Sequence, residues 1–173
     1  MNPATGSDAR PPLLPLEPGP ARRRRRPAYL APTNAVVKTL SRWRVSTGVI
    51  KVLTVPGRTS GKPRSTPVSP LSLDGRRFIL APTPEGDWAR NARAAGRGTL
   101  TDGPRSEQVL LRELDRTGEA DLRRRLMTSF PAAVPDGVRL FKALDLVTSA
   151  DPAQFAAAAD LVTAFEVLPA PGT

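Results

Sequence analysis

Short β-branched runs broken by glycine, proline and Asp-Gly pairs dominate the middle of the chain, while helical spacing of apolar residues marks its flanks. Behind Thr33, a good N-cap, Val36, Val37, Leu40 and either Trp43 or Arg44 recur at helical spacing. This predicts a helix from Asn34 to about Ser46 that Gly48 ends. Val49 to Val55 is a β-branched run of strand length and reads as a buried strand. Pro56 to Arg64 follows as a Gly/Pro/basic loop. Thr66 to Leu73 then reads as one strand, with Pro70 marking an edge or a bulge.

Asp74-Gly75 is a strong hairpin signal, and Arg76 to Ala81 is the returning strand. The loop Pro82-Thr83-Pro84-Glu85-Gly86 leads into a short helix from Asp87 to about Ala95, which Asp87 is expected to cap. A second hairpin joins Gly98–Thr101 to Glu107–Leu114 around Asp102-Gly103. Leu122–Phe130, Val138–Leu146 and Ala153–Ala159 have helical character, and Leu161–Leu168 closes the sheet as a last strand. Hairpin-linked strands between residues 49 and 114 predict a mainly β protein, a small antiparallel barrel with peripheral helices rather than a doubly wound sheet.

Composition narrows the domain plan and the chemistry. Residues 1–28 are Pro-rich and end in the run Arg22 to Arg26. They lack the apolar surface to offset ordering and are expected to be a disordered tail, leaving 33–169 as the barrel domain. Without an apolar h-region in that tail, a cytoplasmic protein is expected. The 173 residues contain no cysteine and no histidine. Disulfides, thiolate nucleophiles, a Ser-His-Asp triad and the usual zinc sites are therefore excluded, and no metal site is expected. Chemistry must come from the remaining polar side chains or from a bound cofactor.

The net charge is +10, and 22 of the 26 basic residues are arginine. Arginine grips phosphate and carboxylate in a bidentate fork, so an anionic partner is expected, although a general compositional bias would also produce the excess. Aromatic residues amount to 5% with no stacking platform among the charges, so no specific nucleic-acid recognition is expected. The tail arginines, if they bind nucleic acid at all, would do so as a nonspecific, salt-sensitive arm.

Two segments could carry a site. Gly57-Arg58-Thr59-Ser60-Gly61-Lys62-Pro63-Arg64 combines two glycines, two hydroxyls and three cations after a strand. It is either an anion-binding loop or a solvated basic turn, and it lacks the spacing of a P-loop. Glu85-Gly86-Asp87-Trp88-Ala89-Arg90-Asn91 places Trp88 and Asn91 on one helical face. Trp88 is either a wall for a planar ring or an ordinary core residue.

In order, Gly57–Arg64, the Thr66-Pro67 strand, the Asp74-Gly75 hairpin and Gly86-Asp87-Trp88-Ala89-Arg90-Asn91-Ala92-Arg93-Ala94-Ala95-Gly96 resemble the deazaflavin-dependent nitroreductase family over about residues 35–115. The resemblance implies a split β-barrel, FMN-binding-like, that holds coenzyme F420, with flavin mononucleotide second to it. It further implies that Arg58, Thr59, Ser60, Lys62 and Arg64 line the site of the anionic tail, with Thr66 and Pro67 nearby. Thr83 and Gly86 would approach the deazaflavin ring, and Trp88 and Asn91 would support it. By the same resemblance the protein would be an oxidoreductase passing a hydride from reduced cofactor to a small electron acceptor, a quinone or nitroaromatic. The alternative is a barrel that carries a cofactor or lipid without turnover.

Two positions depart from the family pattern: Thr59 stands where many relatives have lysine, and Pro82–Gly86 carries Glu85 where relatives often read Ser-Lys-Gly-Gly. Relatives often shape the substrate site with C-terminal tyrosines. Here Phe130, Phe141 and Phe155 are the only stand-ins, so no catalytic residue is named. The helix from Asn34, with Arg42, Trp43 and Arg44, is expected either to pack on the barrel or to touch an anionic membrane peripherally. The oligomeric state is left open.

Overall fold

The computed structural model describes residues 50–171. The predicted helix from Asn34 to Ser46 and the tail of residues 1–28 lie outside the described residues. Seven strands form one sheet: β1 (Lys51–Pro56), β2 (Pro63–Val68), β3 (Leu71–Leu73), β4 (Arg76–Ala81), β5 (Arg97–Asp102), β6 (Arg105–Glu113) and β7 (Thr163–Pro169). Helix α1 (Asp87–Ala95) lies between β4 and β5. Helices α2 (Ala120–Ala133), α3 (Val138–Ala143) and α4 (Pro152–Ala157) lie between β6 and β7.

Every strand pair is antiparallel, in the order β2-β1-β5-β6-β7-β4-β3. This order dictates the shape. β2 and β3 stand at opposite ends of the sheet, yet only Ser69 and Pro70 join them. Three Cα steps span at most about 11 Å, whereas six strand spacings in a flat sheet would separate them by about 29 Å. The sheet must therefore curl until its two edges meet across a seam, which makes a split barrel.

The single strand expected over Thr66–Leu73 is corrected to two strands on opposite lips of that seam. Pro70 has a fixed φ and no N–H for a ladder, so the run turns the corner there. Pro63 and Pro67 are tolerated on β2 because it is an end strand. The two hairpins fall where the sequence puts them: Asp74 and Gly75 both have positive φ (51° and 72°), as a two-residue turn requires.

The helices shift more. α2 is longer than Leu122–Phe130 and carries Pro131 in its last turn. The run expected to reach Leu146 ends at Ala143, beyond which Asp145 is left-handed (φ 55°). α4 begins behind Asp151, whose carboxylate accepts the Ala153 amide at 2.9 Å.

Two apolar layers sandwich part of the sheet. Leu53, Val55, Ile79, Leu100, Leu111 and Phe165 fill the barrel with Ala89 and Ala92 of α1. Phe78, Leu80 and Ala164 face the other way, onto Leu126, Met127, Phe130, Phe141 and Phe155 of the helices. Because β4 is covered on both sides, Phe78-Ile79-Leu80-Ala81 is continuously apolar rather than alternating.

Candidate functional site

The strand registers bring both motifs to one end of the barrel. β1 runs up to Pro56 beside the start of β5, and β4 ends at Ala81 beside Thr163 of β7. The loop after β1 and the turn after β4 therefore leave the same rim, with α1 lying across it. Each is locally determined. In the loop, the Gly57 amide donates to the Lys62 carbonyl at 2.9 Å and the Gly61 amide to the Gly57 carbonyl at 2.7 Å. A Cβ on Gly57 would press on the Lys62 carbonyl at 3.2 Å, and Gly61 has positive φ.

In the turn, the Gly86 amide donates to the Thr83 carbonyl at 2.8 Å. A Cβ on Gly86 would stand 2.7 Å from Thr83 Oγ1 and 2.9 Å from its carbonyl oxygen, so only glycine fits. Gly86, not Asp87, is the N-cap. Asp87 is the first helical residue, and its carboxylate turns to the neighbouring loop.

There the motifs meet. Buried Asn91 accepts with one oxygen from both the Arg58 backbone N–H (3.1 Å) and the Arg58 Nη1 (3.0 Å). Arg58 Nη2 lies 3.4 Å from the Asp87 carboxylate. The amides of Thr59 and Ser60, by contrast, find no acceptor among the described residues, and both residues are exposed.

Charge around the rim is unevenly cancelled. Away from the rim Arg76 and Arg112 pair with Glu166, Arg77 with Glu107 and Arg125 with Asp74, while exposed Arg105, Arg116 and Arg139 make no ion pair among the described residues. At the rim Arg93 is held by Glu113, whose hydrogen bonds raise the guanidinium's already high pKa. Lys62, Arg64, Arg90 and Arg97 are exposed and make no ion pair among the described residues. Arg90 and Ala94 lie on the stripe of α1 beside Asp87 and Asn91, next to the loop. An open groove of about 390 Å³ separates loop and helix, floored by Gly57, Ala94 and Ala95 and edged by Arg58 and Arg97.

The predicted site residues are thus mostly gathered. Arg58, Thr59, Ser60 and Lys62 form the loop, and Thr83 and Gly86 the facing turn. Arg64 and Thr66 continue down β2 on the face they share with Val55 and Leu53, their partners across the ladder. Pro67 points to the other face. Trp88 is half-buried and packs on the barrel core, 5.8 Å from the ring of Phe165. Phe130, Phe141 and Phe155 are not beside this rim. They pack on one another in the outer layer, 4.7–5.7 Å apart, which removes them as substrate-shaping residues.

Sequence reasoning missed the outer-face network in which Arg76 and Arg112 both hold Glu166 while Arg112 also holds Glu119. No local signal announces it, because strand register alone brings those residues together. It also missed buried Arg123, whose Nη2 donates to the carbonyls of Ala159 (2.8 Å) and Val162 (2.7 Å). That one had a signal. Arg123 occupies the core stripe of α2 with Leu126, Met127 and Phe130. Among the described residues no cluster of acidic side chains could hold a metal ion, and no helix is long and apolar enough to cross a membrane.

The sequence model of the F420H(2)-dependent quinone reductase family matches residues 26–136. A solved structure described as a domain-swapped dimer is 19% identical and has a TM-score of 0.50, covering 77% of this chain and 93% of its own. An F420-H2 dependent reductase is 20% identical with a TM-score of 0.46, covering 69% and 94%. A FAD-binding protein of Mesorhizobium loti is 13% identical with a TM-score of 0.46, covering 78% and 89%. At these identities the first speaks to the fold alone. No curated protein matches the chain significantly.

Proposed function

Because the chain belongs to the F420H(2)-dependent quinone reductase family, we propose that its cationic rim holds the anionic tail of coenzyme F420 and serves hydride transfer to a quinone-like acceptor. Membership makes the protein an F420-dependent oxidoreductase. The acceptor and the residues in contact are the proposal.

One observation carries it: Lys62, Arg64, Arg90 and Arg97 gather around one rim and have no carboxylate partner among the described residues. A phosphodiester with trailing carboxylates matches that surplus. The exposed Thr59 and Ser60 amides and hydroxyls add neutral donors, the pattern of an anion-binding nest. Arg64 and Thr66 extend the donors down β2. Gly86, with no room for a side chain, lets a planar ring approach the Thr83–Gly86 backbone, and half-buried Trp88 walls that side.

When bound, the reduced deazaflavin supplies a hydride from its central ring to an electron-poor carbon or nitrogen. The chain fixes the ring by its tail and keeps the approach rigid, and Arg90 polarises the acceptor oxygen. A nitroaromatic would satisfy the same requirements. Residues 33–169 act in this scheme as one cofactor-binding domain.

Titration with oxidised coenzyme F420 at two salt concentrations, with flavin mononucleotide as comparator, tests the proposal. Saturable binding should weaken with salt and by about tenfold in Arg64→Ala, the value of one charge-assisted contact. Binding indifferent to salt and to Arg64→Ala would remove the rim from the cofactor site. A tight complex would then be screened against a naphthoquinone and a nitroaromatic for oxidation of the reduced form.

A further inference from the structure

We infer that Asn91 is the positioning residue of the anion-binding loop: it acts on anion affinity through Arg58, without touching the anion. This rests on the assignment of the rim to the cofactor tail, and it gives Asn91 a different task from supporting the ring. Its Oδ1 accepts from the backbone N–H and the Nη1 of the same arginine, at 3.1 and 3.0 Å. Two bonds from one residue to one oxygen close a ring. They fix both the φ/ψ of Arg58 and the path of its side chain.

The consequence lies in the next residues. With the Arg58 amide turned inward to the helix, the amides of Thr59 and Ser60 are left without acceptors among the described residues, on an exposed turn. The Gly57–Lys62 and Gly61–Gly57 hydrogen bonds close the loop on itself. They join it only to the paired ends of β1 and β2; the Asn91 clasp ties its tip to α1. Asn91 is buried on α1, whose Ala89 and Ala92 are anchored in the barrel core, so the anchor is rigid. Removing it leaves the loop to be ordered at the expense of binding free energy.

The clasp also engages the head of Arg58. Its guanidinium is held by Asn91 and lies beside the Asp87 carboxylate, while Lys62, Arg64 and Arg97 make no ion pair among the described residues. Arg58 therefore sets the loop geometry, and those cations supply the charge.

Amide hydrogen exchange on the full chain tests this without any ligand, and coenzyme F420 titration tests its effect. In the wild type the Arg58 amide should exchange about tenfold or more slowly than those of Thr59 and Ser60. Asn91→Ala should release the Arg58 amide selectively, leave the Val55 and Ala92 amides protected, and raise the Kd for oxidised coenzyme F420 about five- to tenfold. Asn91→Asp keeps the accepting oxygen and should keep the Arg58 amide slow.

The inference is overturned if the Arg58 amide is as fast as its neighbours in the wild type. It is equally overturned if release in Asn91→Ala spreads through α1 and β1, or if affinity is unchanged once the amide is free. A wild type that shows the exchange pattern but binds no coenzyme F420 would sustain the clasp and overturn the cofactor site.

Discussion

At the scale of single residues, the rim carries two carboxylates whose effects differ. Asp87 is partnered with Arg58, so its charge is largely answered. Glu85 is exposed on the turn into α1, close enough to Arg93 to help raise its pKa but in no ion pair among the described residues. A like charge beside an anion site weakens binding through a partly screened Coulomb term. Glu85→Lys should therefore tighten coenzyme F420 binding by about five- to tenfold at low salt, with the gain shrinking as salt rises; parallel titrations of the two proteins read this directly.

A second residue-scale prediction concerns stability. Arg123 is 2% exposed, burial lowers its pKa, and its Nε and Nη1 find no partner among the described residues. Arg123→Ala removes the donors to two carbonyls and opens a cavity, and should destabilise by about 3–5 kcal/mol in urea unfolding. Arg123→Met keeps much of the volume and removes a buried charge, and should cost about 1–2 kcal/mol. Equal losses in the two variants would mean that the carbonyl contacts, which both remove, and not packing set the role of Arg123.

At the scale of elements, what was legible in the sequence and what was not divide by range. Asp74-Gly75 and Asp102-Gly103 announced their hairpins because turn chemistry is local. The bounds Asp87–Ala95 were equally local, written between Gly86 and Gly96. The corner at Pro70 was not legible as a corner. Proline excludes a central ladder position, but a bulge, an edge and a crossing between sheet ends all satisfy that exclusion, and only the partners of β2 and β3 distinguish them. In the site, residue types left Gly57–Arg64 as either an anion-binding loop or a solvated basic turn, and the joining of that loop to Asn91 spans 33 positions and depends on the closed barrel.

The turn into α1 offers a test at this scale. Gly86→Ala would force a Cβ to within 2.7–2.9 Å of Thr83, including its carbonyl oxygen, which no side-chain rotation relieves. The variant should lose about 1–3 kcal/mol and, on the proposed placement of the ring beside Thr83–Gly86, bind coenzyme F420 more weakly because the turn must open there. A variant as stable as the wild type would show that the turn yields freely and does not pre-form the site.

At the largest scale, among the described residues, the helical layer is fixed to the barrel by apolar contact, by the Arg125–Asp74 ion pair and by a charged network on the outer face of β4, β7 and β6. Glu166 is 5% exposed and accepts from Arg76 Nε at 2.6 Å and Arg112 Nε at 2.9 Å. Arg112 also holds Glu119, which accepts the Asp115 amide at the entry to α2. The Arg76 hydrogen bond holds the Glu166 carboxyl below its ordinary value, and the Arg112 hydrogen bond does the same for Glu119.

A carboxylate whose pKa is lowered by folding stabilises the protein above its unfolded value of about 4.3 and loses that contribution as pH falls through the folded value. The melting temperature should therefore be nearly level from pH 7 to 5 and fall steeply below about pH 4. Glu166→Gln should melt lower at pH 7, by the equivalent of about 1–3 kcal/mol for charge-assisted bonds, and show a shallower acid limb. The two curves should approach one another near pH 3, where the wild-type carboxylates lose their charge as well. Parallel curves over the whole range would mean that the charge of Glu166 contributes nothing to folding.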